Sequence, residues 1–103
     1  MKKMNETKEI KVTMGEVNTA RTGRVGYLPK RASYKEICEV FGMPQYLGQS
    51  PDGKTQAEWQ GKINGLVFTI YDYKSGVEAE KNTDWHIGGH TDIVADLVIT
   101  YFK

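Results

Sequence analysis

Cysteine is nearly absent from this sequence, and long apolar runs do not occur in it. The single Cys38 can form neither an internal disulfide nor a metal knuckle. No stretch approaches the roughly 18 consecutive apolar residues of a membrane span, and no apolar run of signal-peptide length follows the charged residues 1–6. We therefore expect neither a secreted nor an integral membrane protein. The single cysteine is typical of a reducing cytosol.

Histidine is also scarce, and the sequence carries no specific catalytic, nucleotide or metal signature. His86 and His90 have the spacing of zinc ligands on a helix, but two glycines between them disfavour a regular helix. The thiol of Cys38 lies on the apolar side of a predicted helix, where we expect it to pack and stay inert. Glu58 and Asp72 alternate onto opposite faces of a predicted hairpin, so they cannot form the carboxylate pair of a glycosidase. We expect no enzyme, no cofactor and no metal site.

One small domain is what 103 residues with 39% hydrophobic and 26% charged side chains allow. Residues 1–36 carry nine basic and four acidic side chains, whereas residues 37–103 carry five basic and nine acidic ones. The basic part can face a phosphate backbone, or it can fold back so that strands of one sheet pair opposite charges, which is the interpretation we favour. Residues 1–8 are predicted to form a flexible basic arm and residues 9–103 a single domain. Because the acidic remainder repels phosphates, nucleic acid is not an expected partner.

The first half of the chain contains two predicted strands and one predicted helix. Residues 10–14 alternate between polar and apolar as a half-buried strand does, and residues 24–28 can form a second, shorter strand. Ser33 and Glu36 have the spacing of a capping box, so a helix is predicted over residues 33–42. The apolar face of this helix consists of Tyr34, Ile37, Cys38 and Phe41.

The best-specified segment is a hairpin over residues 55–74. Asn64-Gly65 at its centre accepts positive φ at both positions and predicts a two-residue type I′ turn. The resulting register pairs Trp59 with Ile70 on a mostly apolar side, which we assign to the core. The opposite side is polar and aromatic, as protein-binding surfaces are. The candidate partner-binding residues on this side are Glu58, Gln60, Tyr71 and Tyr73.

The last third of the chain predicts a short strand, a turn and a helix. Residues 85–87 form the strand, and Gly88-Gly89 is predicted to turn the chain into a helix over residues 91–102. The apolar stripe of this helix comprises Ile93, Val94, Leu97, Val98 and Tyr101. The predicted fold is an α+β domain, in which a small antiparallel sheet with the central hairpin carries the two helices.

The predicted glycine turn also supports a different class of function, a small-molecule or nucleotide-binding module. Free amides at a helix N-terminus can hold an anion when glycines let the ligand approach the backbone. Basic side chains elsewhere in the chain can add to such a site. The candidate ligand-binding residues are Gly88, Gly89, His90, Arg21, Arg24 and Lys54.

Four motifs follow one another in a fixed order between Gly26 and the end of the chain. They are Tyr34-x-x-Ile37-x-x-x-Phe41-Gly42-x-Pro44, Lys54-x-x-x-Glu58-Trp59, Ile70-Tyr71-Asp72-Tyr73-Lys74 and Trp85-His86-Ile87-Gly88-Gly89. In this order they resemble a family of small uncharacterised bacteriophage-encoded proteins. The resemblance implies a viral origin and action in the cytoplasm of a bacterial host. It implies no particular biochemical activity.

Two functional hypotheses therefore follow from the sequence. The first is a phage-encoded, non-enzymatic protein that binds a host bacterial protein and inhibits or redirects it. A component of bacterial defence, such as a CRISPR effector, is the host protein that we consider first. The alternative is the ligand-binding module at the glycine turn. Neither hypothesis involves a membrane, and the sequence leaves the oligomeric state open.

Overall fold

The computed structural model describes residues 10–30, 32–48 and 56–102. It contains six strands and two helices within these residues, together with short 3₁₀ turns at Ala79–Lys81 and Thr100–Phe102. The predicted basic arm at residues 1–8 and the candidate residue Lys54 lie outside the described residues. In chain order the elements are β1 (Val12–Met14), β2 (Gly23–Tyr27), α1 (Tyr34–Phe41), β3 (Tyr46–Leu47), β4 (Ala57–Ile63), β5 (Leu66–Asp72), β6 (Trp85–Gly89) and α2 (Asp92–Ile99).

All strands belong to one antiparallel sheet with the order β1-β4-β5-β6-β2. The short strand β3, which the sequence did not predict, also pairs with β4. The two helices pack on one face of the sheet: rings of α1 contact rings of β4 and β5, and α2 contacts β2 and β6. The α+β class predicted from the sequence is confirmed, and neither helix of the described residues lies on the second face of the sheet.

The central hairpin has the predicted turn and register. Asn64 has φ 50° and Gly65 has φ 80°, the positive values that a type I′ turn requires at both central positions. Trp59 pairs with Ile70, and Gly61 pairs with Phe68. A β-carbon at Gly61 would lie 2.6 Å from the carbonyl oxygen of Thr13, so glycine is what lets β1 pair with β4 at this point.

Helix α1 begins and ends where its local signals predict. The hydroxyl of Ser33 accepts from the amide of Glu36 at 3.1 Å, and a Glu36 carboxylate oxygen accepts from the amide of Ser33 at 3.1 Å. Gly42 ends the helix with φ 83°, and its amide donates to the carbonyl oxygen of Cys38. Both halves of the predicted capping box are therefore present.

The predicted turn at Gly88-Gly89 is wrong, because both glycines lie in strand β6. Gly89 pairs with Phe68 of β5 on one side and with Gly23 of β2 on the other. A β-carbon at Gly89 would lie 3.2 Å from the side chain of Val94, tighter than usual packing. Glycine at this position favours the close approach of α2 to the sheet. The helix itself starts at Asp92, with the Thr91 hydroxyl accepting from the amide of Ile93.

The apolar stripe predicted for the last helix is correct only in part. Ile93 and Tyr101 are exposed, whereas Ala95 and Phe102 are buried. The reason lies on the sheet, where a β-carbon at Gly26 would lie 2.7 Å from the β-carbon of Ala95. This glycine of β2 admits the small Ala95 side chain, and the contact fixes the rotation of α2.

The core lies between the sheet and the two helices. Trp59 and Trp85 are fully buried within it, and their ring centroids are 5.4 Å apart in an edge-to-face arrangement. Each indole N–H has an acceptor: Trp59 donates to the carbonyl oxygen of Gly42 at 2.8 Å, and Trp85 donates to that of Asn82 at 3.1 Å. The core position predicted for Trp59 is confirmed, and Trp85 is a core residue as well.

Candidate functional site

Strand pairing aligns aromatic side chains across the sheet face that lies opposite the helices. Glu58 of β4 pairs with Tyr71 of β5, Tyr71 pairs with His86 of β6, and His86 pairs with Tyr27 of β2. Tyr73 follows β5 on the same side, because it is two residues beyond Tyr71. We call the surface formed by Arg24, Tyr27, Glu58, Tyr71, Tyr73 and His86 the tyrosine face.

The imidazole of His86 is the centre of the aromatic cluster on the tyrosine face. Its ring centroid lies 4.9 Å from that of Tyr27, 5.4 Å from that of Tyr71 and 5.8 Å from that of Tyr73. Edge-to-face and tilted rings at such distances stabilise one another beyond the area they bury. Tyr27 and Tyr73 are nevertheless 46% and 40% exposed. The cluster is therefore held in place from within and remains accessible from outside.

Charged groups border the cluster on several sides. The guanidinium of Arg24 lies 5.0 Å from the ring centroid of Tyr27, and the ammonium of Lys74 lies 5.5 Å from that of Tyr73. Both distances are those of cation–π contacts. The carboxylate of Asp84 lies 3.7 Å from Nε2 of His86. The surface thus combines exposed aromatic area with charge of both signs.

The half-buried Tyr71 lies in the field of two opposite charges. Burial raises the pKa of its phenol above the ordinary value of 10.0, nearby Arg24 lowers this pKa, and Glu58 raises it. The pKa of Tyr34 is raised, chiefly by burial, and the pKa of Tyr46 is raised chiefly by its hydrogen bond to Glu16.

The stability of the protein is expected to fall as the pH rises above the ordinary Cys pKa of 9.0. Burial raises the pKa of the Cys38 thiol above that value, and the pKa of Tyr71 is likewise above 10.0. These groups bind their protons more tightly in the folded state than in the unfolded state, so full stability is present below their unfolded pKa values and is lost at higher pH. Urea unfolding at a series of pH values measures the decline.

Two variants separate the contributions to this alkaline decline. Cys38→Ala should move its onset to higher pH, and Tyr71→Phe should make it shallower above pH 10.0. A free energy of unfolding that stays constant or rises over this range would contradict the expected proton linkage.

Of the four residues predicted to contact a partner, three lie on the tyrosine face with part of their surface accessible: Glu58, Tyr71 and Tyr73. Gln60 does not, because only 6% of it is exposed. Its amide nitrogen donates to the Glu58 carboxylate at 2.7 Å, and its amide oxygen accepts from the amide of Val17 at 3.1 Å. Gln60 therefore fixes the segment after β1 and the position of Glu58, and it is not available to a partner.

The sequence analysis assigned Tyr27 and His86 to no site, and it assigned Arg24 only to the alternative ligand site. The sequence does carry a signal for His86. Trp85 and Ile87 are buried on the core face of β6, so alternation along the strand places the residue between them, His86, on the opposite face. No comparable signal marks β2, where a β-bulge between Arg24 and Gly26 interrupts the alternation. Pairing of β2 with β6 is a long-range event that the local sequence does not specify.

The residues of the predicted ligand site are partly brought together, but not around a helix N-terminus. Arg24 pairs with Gly88, and Nε2 of His90 lies 3.0 Å from the carbonyl oxygen of Ala20, next to Arg21. Gly88 pairs with strands on both sides. The backbone of an inner strand takes part in the hydrogen-bond ladder, so it offers no free row of amides to an anion. No observation on the described residues favours this alternative.

The structure also shows where the residues considered for catalysis and metal binding lie. Cys38 is partly buried, with its sulfur 4.0 Å from that of Met43. Asp72 is buried on the core side while Glu58 lies on the tyrosine face, so the two carboxylates are on opposite faces as predicted. Among residues 10–30, 32–48 and 56–102, no group of three potential metal ligands occurs.

Comparisons with family models, with curated protein sequences and with solved structures found no match to this chain. Within the described part of the chain, neither helix has the length and apolar character needed to cross a membrane. The features of this chain that bear on its function are therefore the geometry of the tyrosine face and the motifs of the sequence.

Proposed function

We propose that this chain is a non-enzymatic binding protein that docks on a bacterial host protein through the tyrosine face and inhibits or redirects it. The observation that supports the proposal is the cluster of three tyrosines around His86, on the sheet face that neither helix covers. Tyrosine and arginine are enriched among the residues that dominate protein–protein binding energies. Both residue types are present here, in contact with each other.

The contacts between the rings preorganise the tyrosine face for binding. Because Tyr27, Tyr71 and Tyr73 each contact the ring of His86, their rotamers are restricted before a partner arrives. A restricted side chain loses less conformational entropy on binding, which increases affinity without further contacts. The exposed parts of the rings supply the apolar area, and Arg24 and Glu58 supply charge at the border.

The host and its compartment enter the proposal through the resemblance to bacteriophage-encoded proteins. The four motifs from Tyr34 to Gly89 support a viral protein that acts in the bacterial cytoplasm. A component of bacterial defence, such as a CRISPR effector, is the class of partner we propose first. The proposal includes no cofactor, membrane or nucleic acid.

Capture of proteins from a bacterial lysate, with the tagged full-length chain as bait, tests the proposal. The double variant Tyr27→Ala, Tyr73→Ala removes the two most exposed rings of the tyrosine face. We expect it to weaken capture by about tenfold or more, since hot-spot side chains contribute more than about 1–2 kcal/mol each. The matched control is Ile93→Ala, Tyr101→Ala, which removes exposed apolar side chains from the helix side and should leave capture unchanged.

Two results would contradict the proposal. One is that the wild-type chain retains no bacterial protein. The other is that capture is lost in the Ile93, Tyr101 variant and kept in the Tyr27, Tyr73 variant, which would place the binding surface on α2.

A further inference from the structure

The segment between β1 and β2, residues 15–22, crosses the sheet on the side of the tyrosine face. It leads from one end of the strand order to the other, and on the way the amide of Val17 donates to the side-chain oxygen of Gln60. Gln60 and its pairing partner Thr69 are buried on this side, although neither helix lies there. The crossing segment therefore covers one half of this sheet face, and the tyrosine face lies beside it as a ledge.

The floor of the ledge is a row of side chains from five neighbouring strands, which strand pairing places side by side. In order from β3 to β2 they are Tyr46, Glu58, Tyr71, His86 and Tyr27. Four strand spacings make this cross-strand row about 19 Å long. The hydroxyl of Tyr46 donates to the carboxylate of Glu16, which joins the row to the crossing segment. A long floor with a wall along one side fits a narrow chain better than a flat protein surface.

The polar groups of the cross-strand row select the kind of chain that it can hold. The backbones of β4, β5 and β6 take part in hydrogen-bond ladders on both sides, so they offer little to a ligand that lies across the strands. The exposed rings of Tyr27, Tyr46 and Tyr73 supply apolar area, and a phenol hydroxyl can donate to a carbonyl oxygen. A peptide that binds as a β-strand needs the free edge of a sheet for its amides. Proline has no amide to satisfy, and a polyproline II segment presents carbonyl oxygens and pyrrolidine rings outward.

The two ends of the cross-strand row differ in charge. Glu58 and the nearby Glu16 are acidic groups at the end formed by β3 and β4. Arg24 lies at the other end, with its guanidinium 5.0 Å from the ring centroid of Tyr27. Complementary charges fix the direction in which a ligand lies. A basic side chain of a bound segment is therefore favoured at the Glu58 end and disfavoured at the Arg24 end.

We propose that the cross-strand row binds a proline-rich segment of the partner in the polyproline II conformation, with a basic residue of that segment next to Glu58. At about 3.1 Å per residue, roughly six residues span the row. Their pyrrolidine rings pack on the exposed tyrosine rings, and phenol hydroxyls donate to their carbonyl oxygens. The inference rests on the proposed function, since it names the part of the host protein that the tyrosine face holds.

Three synthetic peptides and the purified full-length chain test the proposal. The first peptide is one arginine followed by six prolines, the second has aspartate in place of the arginine, and the third has alternating glycine and serine in place of the prolines. Nuclear magnetic resonance follows the aromatic ring protons as each peptide is added up to about 5 mM. We expect the arginine–proline peptide to bind with a Kd of about 1 mM or tighter and to shift the rings of Tyr27, Tyr46, Tyr73 and His86. The glycine–serine peptide should bind about tenfold more weakly, and the aspartate–proline peptide about threefold or more.

Variants assign the two parts of the contact. Tyr27→Ala removes an exposed ring from the row and should weaken the arginine–proline peptide by about fivefold or more. Glu58→Gln should abolish the preference for the arginine peptide over the aspartate peptide. Its matched control is Asp96→Asn on α2, where an exposed carboxylate is lost on the helix side and the preference should stay unchanged. Circular dichroism confirms that each variant is folded.

The proposal is overturned if the arginine–proline peptide causes no saturable shift, or if the glycine–serine peptide binds equally well. It is also overturned if the arginine preference survives in Glu58→Gln, because the basic residue then lies elsewhere. Capture from the lysate that depends on Tyr27 and Tyr73, without binding of the proline peptides, rejects the proline-rich segment and leaves the proposed function intact. Failure of the capture itself counts against the proposed function.

Discussion

Replacing Trp59 by alanine is expected to cost about 3–5 kcal/mol of the free energy of unfolding, the range typical of fully buried aromatic side chains. The side chain is 0% exposed and contacts the rings of Tyr34 and Trp85. Its indole N–H also donates to the carbonyl oxygen of Gly42, at the end of α1. The substitution therefore removes the contact that joins the sheet, the first helix and the second core tryptophan. Urea unfolding followed by circular dichroism measures the loss.

Trp59→Phe is the matched control for this prediction. It keeps an aromatic ring in the core but removes the donor to Gly42, so a smaller loss is expected than for alanine. A loss of less than about 1 kcal/mol for Trp59→Ala would contradict the central place of this residue in the core.

Asp72→Ala is expected to cost about 2–3 kcal/mol, because it leaves backbone amides without their acceptor. One carboxylate oxygen of Asp72 accepts from the amide of Gln56 at 2.8 Å and from the amide of Ala57 at 3.0 Å. The residue is 1% exposed, so water cannot readily replace it. The second carboxylate oxygen has no hydrogen-bond partner among the described residues. The function of the side chain is therefore to hold the start of β4 against the end of β5.

Asp72→Asn separates the hydrogen bonds from the charge. Asparagine keeps an oxygen that can accept from both amides, so it should lose clearly less stability than alanine, again measured by urea unfolding. Equal losses for the two variants would show that the negative charge, and not the acceptor geometry, is what the fold requires.

Features encoded within a few residues of sequence were predictable here. The Asn64-Gly65 turn sets the register of the whole hairpin, because side chains alternate outward from a turn of fixed length. The capping box of Ser33 and Glu36 specifies the start of α1 by hydrogen bonds across three residues. These signals need no knowledge of the rest of the chain.

Features that depend on distant contacts were not predictable in the same way. Gly88 and Gly89 are equally compatible with a turn and with a strand that packs closely against a helix. The close approach of Val94 to Gly89 makes the second arrangement the correct one. Hydrophobicity alone predicts that Ile93 is buried and Ala95 exposed, but the structure shows the reverse. The space beside Gly26 admits only a small side chain, and Ala95 occupies it.

The candidate site likewise combines residues that local patterns predict with residues that only distant strand pairing brings together. The hairpin contributes Glu58, Tyr71 and Tyr73, which alternation placed on one side of the ribbon. The other half comes from β2 and β6, whose pairing joins residues about 60 positions apart in the chain. Strands β1 and β2 both come from the first 36 residues and lie at opposite ends of the strand order, and β1 itself carries no charged side chain.

Docking through the tyrosine face is best tested by the reactivity of individual tyrosines in a complex with a captured bacterial protein. Nitration followed by mass spectrometry measures the reactivity of each phenol in the free chain and in the complex. We expect Tyr27 and Tyr73 to react in the free chain and to be protected in the complex, whereas Tyr101 on the helix side should react equally in both. Protection of Tyr101, with Tyr27 and Tyr73 unchanged, would contradict docking through this face.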